Sequence, residues 1–164
     1  MTDTTLGPTP AGPATPVVDG WFTTGDAPRL LAARCTACGA VWFPPTGRDC
    51  PNPVCEADPE STQVEELALS RQGTVWSYTD ARYQPPPPYI PPPGDYEPFA
   101  LAAVELPEGL VVLGQLAQGY GVDDVRVGSP VELVVEPLYV DDSGERLVWR
   151  WRPTTATAEP EVSR

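Results

Sequence analysis

The sequence predicts a mainly β protein in which a short N-terminal helical segment and a small cysteine-held ribbon precede a five-stranded barrel. Three observations carry that prediction. Four cysteines, Cys35, Cys38, Cys50 and Cys55, stand as C-x2-C and C-x4-C within one short stretch. Five later runs are rich in β-branched, aromatic and aliphatic residues and are separated by turn-forming residues. A proline tract over 85–93 lies between the first two of those runs and excludes a helix or a central strand there.

The elements follow in chain order. Residues 1–16 are mostly Thr, Pro, Gly and Ala, with too little apolar surface to offset the entropy of ordering, so a disordered tail is expected. Residues 154–164 read the same way. Over 17–33, Asp19 suits a helix cap and Pro28 a first helical turn, which predicts one or two short helical turns leading into the ribbon. Trp21 and Phe22 in that segment need cover, either from the ribbon or from a partner. The ribbon is expected over 34–60, with strands Leu30–Arg34 and Ala40–Phe43 flanking the first knuckle and Pro44-Pro45 ending the second of them. Gly39 follows the second cysteine, where a knuckle backbone turns tightly and often needs positive φ.

The barrel is expected over 61–153. Its strands are predicted at Gly73–Thr79, Phe99–Leu106, Leu110–Leu116, Val131–Glu136 and Arg146–Trp151. Leu106-Pro107-Glu108-Gly109-Leu110 and Asp141-Asp142-Ser143-Gly144-Glu145 supply hairpin loops, and Val122–Val125 one helical turn between the third and fourth strands. Five strands with that interruption suggest a Greek-key barrel of the OB type. An SH3-like barrel or a small sandwich shares most of these signals.

The cysteine spacing points to metal. A turn of two to four residues lets both sulfurs of a pair reach one tetrahedral ion at about 2.3 Å. Four thiolates close the shell and leave no position for water, so the ion is structural; zinc is the first expectation, one per chain, although four thiolates suit iron as well. The competing reading is two disulfides in a secreted module. The first residues lack the charged-then-apolar pattern of a secretory leader, and reduced cysteines held for metal suit the cytoplasm, which is the expected location.

Composition limits the function classes. The 164 residues carry 23 acidic and 10 basic side chains, a formal net charge of −13, and every basic residue is arginine. Nucleic-acid binding draws most of its affinity from neutralised phosphates, so this chain is not expected to bind nucleic acid. No apolar run approaches the roughly 20 residues that span a bilayer, and the same charge disfavours an anionic membrane. With no histidine and no lysine, the usual neutral-pH acid–base group and the Schiff-base amine are both missing.

The ordered motifs carry a resemblance. Arg34-Cys35-Thr36-Ala37-Cys38-Gly39, Phe43-Pro44-Pro45, Cys50-Pro51 with Cys55, Gly73-Thr74-Val75-Trp76-Ser77-Tyr78, the proline loop running into Phe99–Leu106, Val127–Glu132 and Trp151-Arg152-Pro153 together resemble a family of small bacterial and archaeal proteins. In that family a rubredoxin-like zinc ribbon precedes an acyl-CoA-associated OB-fold domain. The resemblance covers about residues 17–153. It implies a noncatalytic accessory subunit of a thiolase-like partner, whether a thiolase, a lipid-transfer-type aldolase that shortens steroid side chains, or an acyltransferase, in a heterotetramer. The partner would supply the nucleophilic cysteine and histidines, and acyl-CoA would be a ligand of the complex. The C-x4-C spacing of Cys50 and Cys55 is two residues longer than the commoner form.

Within that reading Tyr89, Ile90, Tyr96 and Phe99, on or beside the stiff proline loop, form an apolar anchor set for a partner. The loop also reads as a cover for the barrel mouth or as a ligand for a proline-reading domain. Arg71, Arg82 and Arg126 are the guanidinium groups best suited to an acyl-CoA phosphate or a partner carboxylate; each also reads as a solvated surface charge. Two other functions compete: a nucleic-acid-binding ribbon and OB module, which the charge opposes, and an independent enzyme, which the missing histidine and lysine oppose.

Overall fold

A computed structural model of the chain describes residues 12–47, 49–56, 64–87 and 95–154. The strands are β1 (Thr15–Pro16), β2 (Leu31–Cys35), β3 (Val41–Trp42), β4 (Val64–Ala68), β5 (Gln72–Ala81), β6 (Phe99–Glu105), β7 (Val111–Leu116), β8 (Pro130–Asp141) and β9 (Gly144–Pro153), with one 3₁₀ turn at Val122–Asp124. The five long strands β5 to β9 close on themselves. β5 pairs with β6, β6 with β7, β8 with β9 and β8 with β5, all antiparallel, and the last gap is closed by a parallel pairing of β7 with β9. Three consecutive strands followed by a 3₁₀ turn and a crossing hairpin give the five-stranded OB-type barrel that the strand runs predict.

Alternation along the strands sets the core. Val75, Ala102, Val104, Val112, Val131, Leu133 and Trp151 point inward and are all buried. A β-bulge at Val75/Ser77 inserts one extra residue into β5, so Trp76 and Ser77 are consecutive exposed positions. Gly73 is held by a close approach: a Cβ there would stand 2.6 Å from the Glu105 carbonyl oxygen and 2.5 Å from a Val104 methyl. The parallel closure between β7 and β9 is pinned by Arg150, which is only 9% exposed. Its Nη1 donates to Gln115 Oε1 and its Nε lies 3.3 Å from Glu136 Oε2. Burial lowers the Arg150 pKa and the Glu136 charge opposes that shift.

β2 is the centre of a second, three-stranded sheet, flanked by β3 and β4. Ala33 pairs with Trp42 and Arg34 with Val41, as the ribbon hairpin requires. β4 lies at the start of the segment read as barrel, yet it pairs along the whole of β2, with Arg34 bound to Glu65 at 2.8 Å.

The N-terminal segment differs from expectation. The described residues contain no helix besides the 3₁₀ turn, and 17–33 is an irregular hairpin instead of helical turns. Thr23 N donates to Arg29 O and Leu31 N to Trp21 O, each at 2.8 Å, around a bridge between Phe22 and Leu30. Gly20 and Gly25 take φ of 76° and 104°, values that interrupt a right-handed helix, and the backbone donors are used across the hairpin. Part of the expected 1–16 tail is also structured. Thr15–Pro16 pairs parallel with β9, and Arg146 Nη1 donates to Thr15 Oγ1 at 2.9 Å.

Trp21 and Phe22 meet the barrel. Trp149, on the same face of β9 as Trp151, is touched by Trp21, Phe22 and Phe43 with ring centroids 6.2, 5.6 and 5.9 Å away. Phe22 is nearly fully buried. This aromatic knot is the seam between the N-terminal hairpin, the ribbon and the barrel.

Two changes test this packing. Trp149→Ala is expected to cost about 3 kcal/mol, as aromatic truncations do, with ribbon and barrel transitions separating in chemical denaturation. Gly73→Ala, forced against the Glu105 carbonyl, is expected to lower stability by about 1–3 kcal/mol in the same assay.

Candidate metal centre and contact residues

The two knuckles are built by backbone hydrogen bonds. At the first, Cys35 N donates to Ala40 O at 2.9 Å and Gly39 N to Cys35 O at 2.8 Å, with Gly39 at φ 77° as its position in the sequence requires. At the second, Asn52 organises the turn: its Oδ1 accepts from Val54 N at 3.2 Å and its carbonyl from Cys55 N at 3.0 Å. That asparagine turn accommodates the two extra residues of the C-x4-C spacing.

All four sulfurs lie within 4.8 Å of one another, with Cys35 and Cys55 3.7 Å apart and Cys38 and Cys50 3.6 Å apart. Thiolates about 2.3 Å from a central ion define a tetrahedron with edges of about 3.8 Å. A disulfide needs about 2.05 Å, and all four cysteines are free. The sulfur positions therefore fit a tetrahedral metal and not the disulfide alternative. Their electrostatics agree. The Ala40 backbone and the Asn52 side chain hold the Cys38 thiol down to about 6. Cys50 receives a backbone hydrogen bond at Asn52 that favours its thiolate, yet partial desolvation and the sulfurs of Cys38, Cys35 and Cys55 push it up to about 12. Four thiolates this close need a cation to offset their mutual repulsion, and a zinc ion held by Cys35, Cys38, Cys50 and Cys55 would supply it.

Among the described residues, the other candidates do not converge on one site. Tyr96 and Phe99 come together at the start of β6 as a tilted edge-on pair, centroids 6.3 Å apart, and the Tyr96 hydroxyl donates to Ala81 O at 2.6 Å. Tyr89 and Ile90 lie outside the described residues. Arg71 and Arg82 flank the ten residues of β5, which puts them about 35 Å apart along an extended strand. Arg82 is exposed and paired with Asp80 at 2.6 Å. Arg126 is occupied locally, its Nη1 donating to the carbonyls of Val122 and Val125 at 3.2 and 2.6 Å, where it closes the 3₁₀ turn. Arg71 lines an open groove of about 350 Å³ with Arg29, Gln72 and Glu132; it stands 3.9 Å from Glu132, and its buried Nε has no hydrogen-bond partner.

The sequence reasoning passed over an exposed apolar surface. Trp76, Val111 and Leu113 are 61%, 49% and 57% exposed. The signal was available in β6 and β7, whose runs are apolar at both odd and even positions, although a barrel strand needs only one apolar face.

Removing a ligand tests the metal centre. Cys55→Ser is expected to reduce bound zinc from about one ion per chain to less than a tenth of that, measured by elemental analysis. Strong chelation of the wild type is expected to lower its melting temperature, because the second knuckle, Cys50 to Cys55, lies outside the ribbon strands and is joined to the first by the ion.

Comparison with known proteins agrees with this architecture. Residues 25–60 match the rubredoxin-like zinc ribbon domain of ChsH2, and residues 66–136 match the C-terminal OB-fold domain of ChsH2. A DUF35 domain-containing scaffold protein of Methanocaldococcus jannaschii is 30% identical over 76% of this chain and 80% of its own length. The benzoylsuccinyl-CoA thiolase subunit BbsA of Geobacter metallireducens is 34% identical over 72% of this chain and 69% of its own. Among solved structures, a chain of the Ltp2-ChsH2(DUF35) aldolase superposes with a TM-score of 0.54 at 30% identity, over 76% of this chain and 84% of that one. With a four-cysteine ribbon joined to a closed OB barrel and these similarities over most of its length, the chain belongs to the DUF35 family typified by ChsH2.

Proposed function

We propose that this chain is a noncatalytic accessory subunit that binds a thiolase-like partner and helps to shape or stabilise the partner's acyl-CoA site. The observation that carries this reading is the company its relatives keep: one is named a thiolase subunit, another is part of an aldolase with Ltp2, and a third is a scaffold protein. Composition supports the division of labour. The chain has no histidine and no lysine, and its four cysteines are gathered in the metal centre, so the partner carries the nucleophile and the acid–base groups.

The partner in this reading is a thiolase or a lipid-transfer-type aldolase, and the ligand of the complex is an acyl-CoA, with steroid side-chain acyl groups among those it accommodates. Two copies flank a partner dimer in a heterotetramer, and the complex works in the cytoplasm. Tyr89, Ile90, Tyr96 and Phe99 contact the partner. Arg71, which lines an open groove beside Arg29, is the arginine best placed to meet an anionic group. One structural zinc per chain holds the ribbon. The net charge of −13 opposes the alternative of a nucleic-acid-binding module.

Co-expression with the thiolase-like proteins of the same organism, followed by size-exclusion chromatography with mass determination, tests the reading. A stable joint peak is expected with one of them, with no acyl-CoA turnover by this chain alone. A lone monomer in every pairing, or submicromolar binding of single-stranded nucleic acid at physiological salt, would contradict it.

A further inference from the structure

The outer side of the β5–β6–β7 sheet is the least explained surface of the molecule. Along β6, Ala100, Ala102 and Val104 fill the barrel, which turns Phe99, Leu101 and Ala103 outward. β7 adds Val111 and Leu113 to that side, paired across from Glu105 and Ala103. β5 contributes Ser77 opposite Ala103, and its bulge sets exposed Trp76 beside it. Between Thr79 on β5 and Gln115 on β7, both paired with Leu101, these outward positions carry no charge; Glu105 stands at the border.

The opposite side of the same barrel is built otherwise. Glu132 and Arg152 form an ion pair on the outside of β8 and β9, and Glu136 pairs with Arg150, which is itself buried against Gln115. An OB barrel needs apolar residues on the inside only, so paired charges outside on β8 and β9, and only Glu105 at the border of β5, β6 and β7, set the two sides apart.

We propose that the outer face of β5, β6 and β7, centred on Leu101, Ala103 and Leu113 and rimmed by Trp76 and Phe99, is the surface by which this subunit docks on its thiolase-like partner. The proposal rests on the accessory-subunit reading and locates its interface. Charge selects the occupant. Two copies of a chain with net charge −13 repel each other, whereas the face itself is neutral, so its complement is a different protein with an apolar patch and a rim less acidic than this one. Interface centres are depleted of charge, as this face is between Thr79 and Gln115, and aromatic residues are enriched at interfaces, here Trp76 and Phe99 at the rim. It is also continuous with the Tyr96–Phe99 pair, which joins it to the contact residues named from the sequence.

Leu113→Glu and Leu101→Glu test the proposal, with Val140→Glu as control: Val140 is 51% exposed near the β8–β9 turn, away from this face. Each variant is co-expressed with the thiolase-like protein that the wild type binds, and its zinc content and melting curve are measured beside it. A charge placed in the face is expected to weaken the complex more than tenfold while leaving zinc content and melting unchanged; Val140→Glu is expected to bind as the wild type does. Wild-type affinity in both face variants would overturn the location while leaving the accessory-subunit reading intact. Wild-type failure to bind any thiolase-like partner would overturn both. A wild-type homodimer that Leu113→Glu converts to a monomer would overturn the choice of occupant.

Discussion

The contact of Trp149 with Trp21, Phe22 and Phe43 is the constraint on which the rest of the molecule depends. A metal ribbon is too small to bury a core of its own, and a five-stranded barrel leaves an open mouth whose rim residues would face water. Placing the ribbon and the N-terminal hairpin against that mouth solves both problems with one set of rings. Leu30 and Leu69, both fully buried, extend the seam, and Leu69 N donates to Leu30 O at 2.9 Å across it. The metal acts upstream of this seam. An ion held by Cys35 and Cys38 would fix the end of β2 and the approach to β3, and with them the position of Phe43.

Much of this was legible in the residues. The cysteine spacing gave the metal centre, the glycine after Cys38 gave the positive φ of its knuckle, and the five apolar runs gave the barrel strands in their order. Hairpin loops at 106–110 and 141–145 and the single turn at Val122 follow from Pro, Gly and Asp at positions where a strand cannot continue. What escaped was tertiary in origin. The segment over 17–33 has capping residues that suit a helix, but Trp21 and Phe22 pack on Trp149 from an irregular hairpin, and two glycines with positive φ permit it. Thr15–Pro16 is ordered by Arg146, which is 131 residues away in sequence and invisible to local pattern. The arginines show the same limit. Arg126 reads as a candidate ligand contact until the fold folds it back onto its own 3₁₀ turn.

The surface divides along the same logic. β8 and β9 carry charges that pair with one another, and the long β8–β9 hairpin holds its tip with Arg146 against Asp141 at 2.8 Å. β5, β6 and β7 present the opposite character within the same barrel. The net charge of −13 opposes self-association, and the apolar sheet face is where the proposal places the contact with a different protein. In the proposed accessory role the partner would bring the reactive side chains, and this chain its four-cysteine ribbon and the apolar face of β5, β6 and β7.

Hydroxyl-radical footprinting of the chain, alone and in complex with its thiolase-like partner, tests this account most directly, because it reads side-chain exposure residue by residue. The account predicts strong protection of Trp76, Phe99 and Leu113 on complex formation, with Tyr139 and Val140 labelled as before. Undiminished labelling of Trp76 and Leu113 in a complex that protects the β8–β9 side would contradict it.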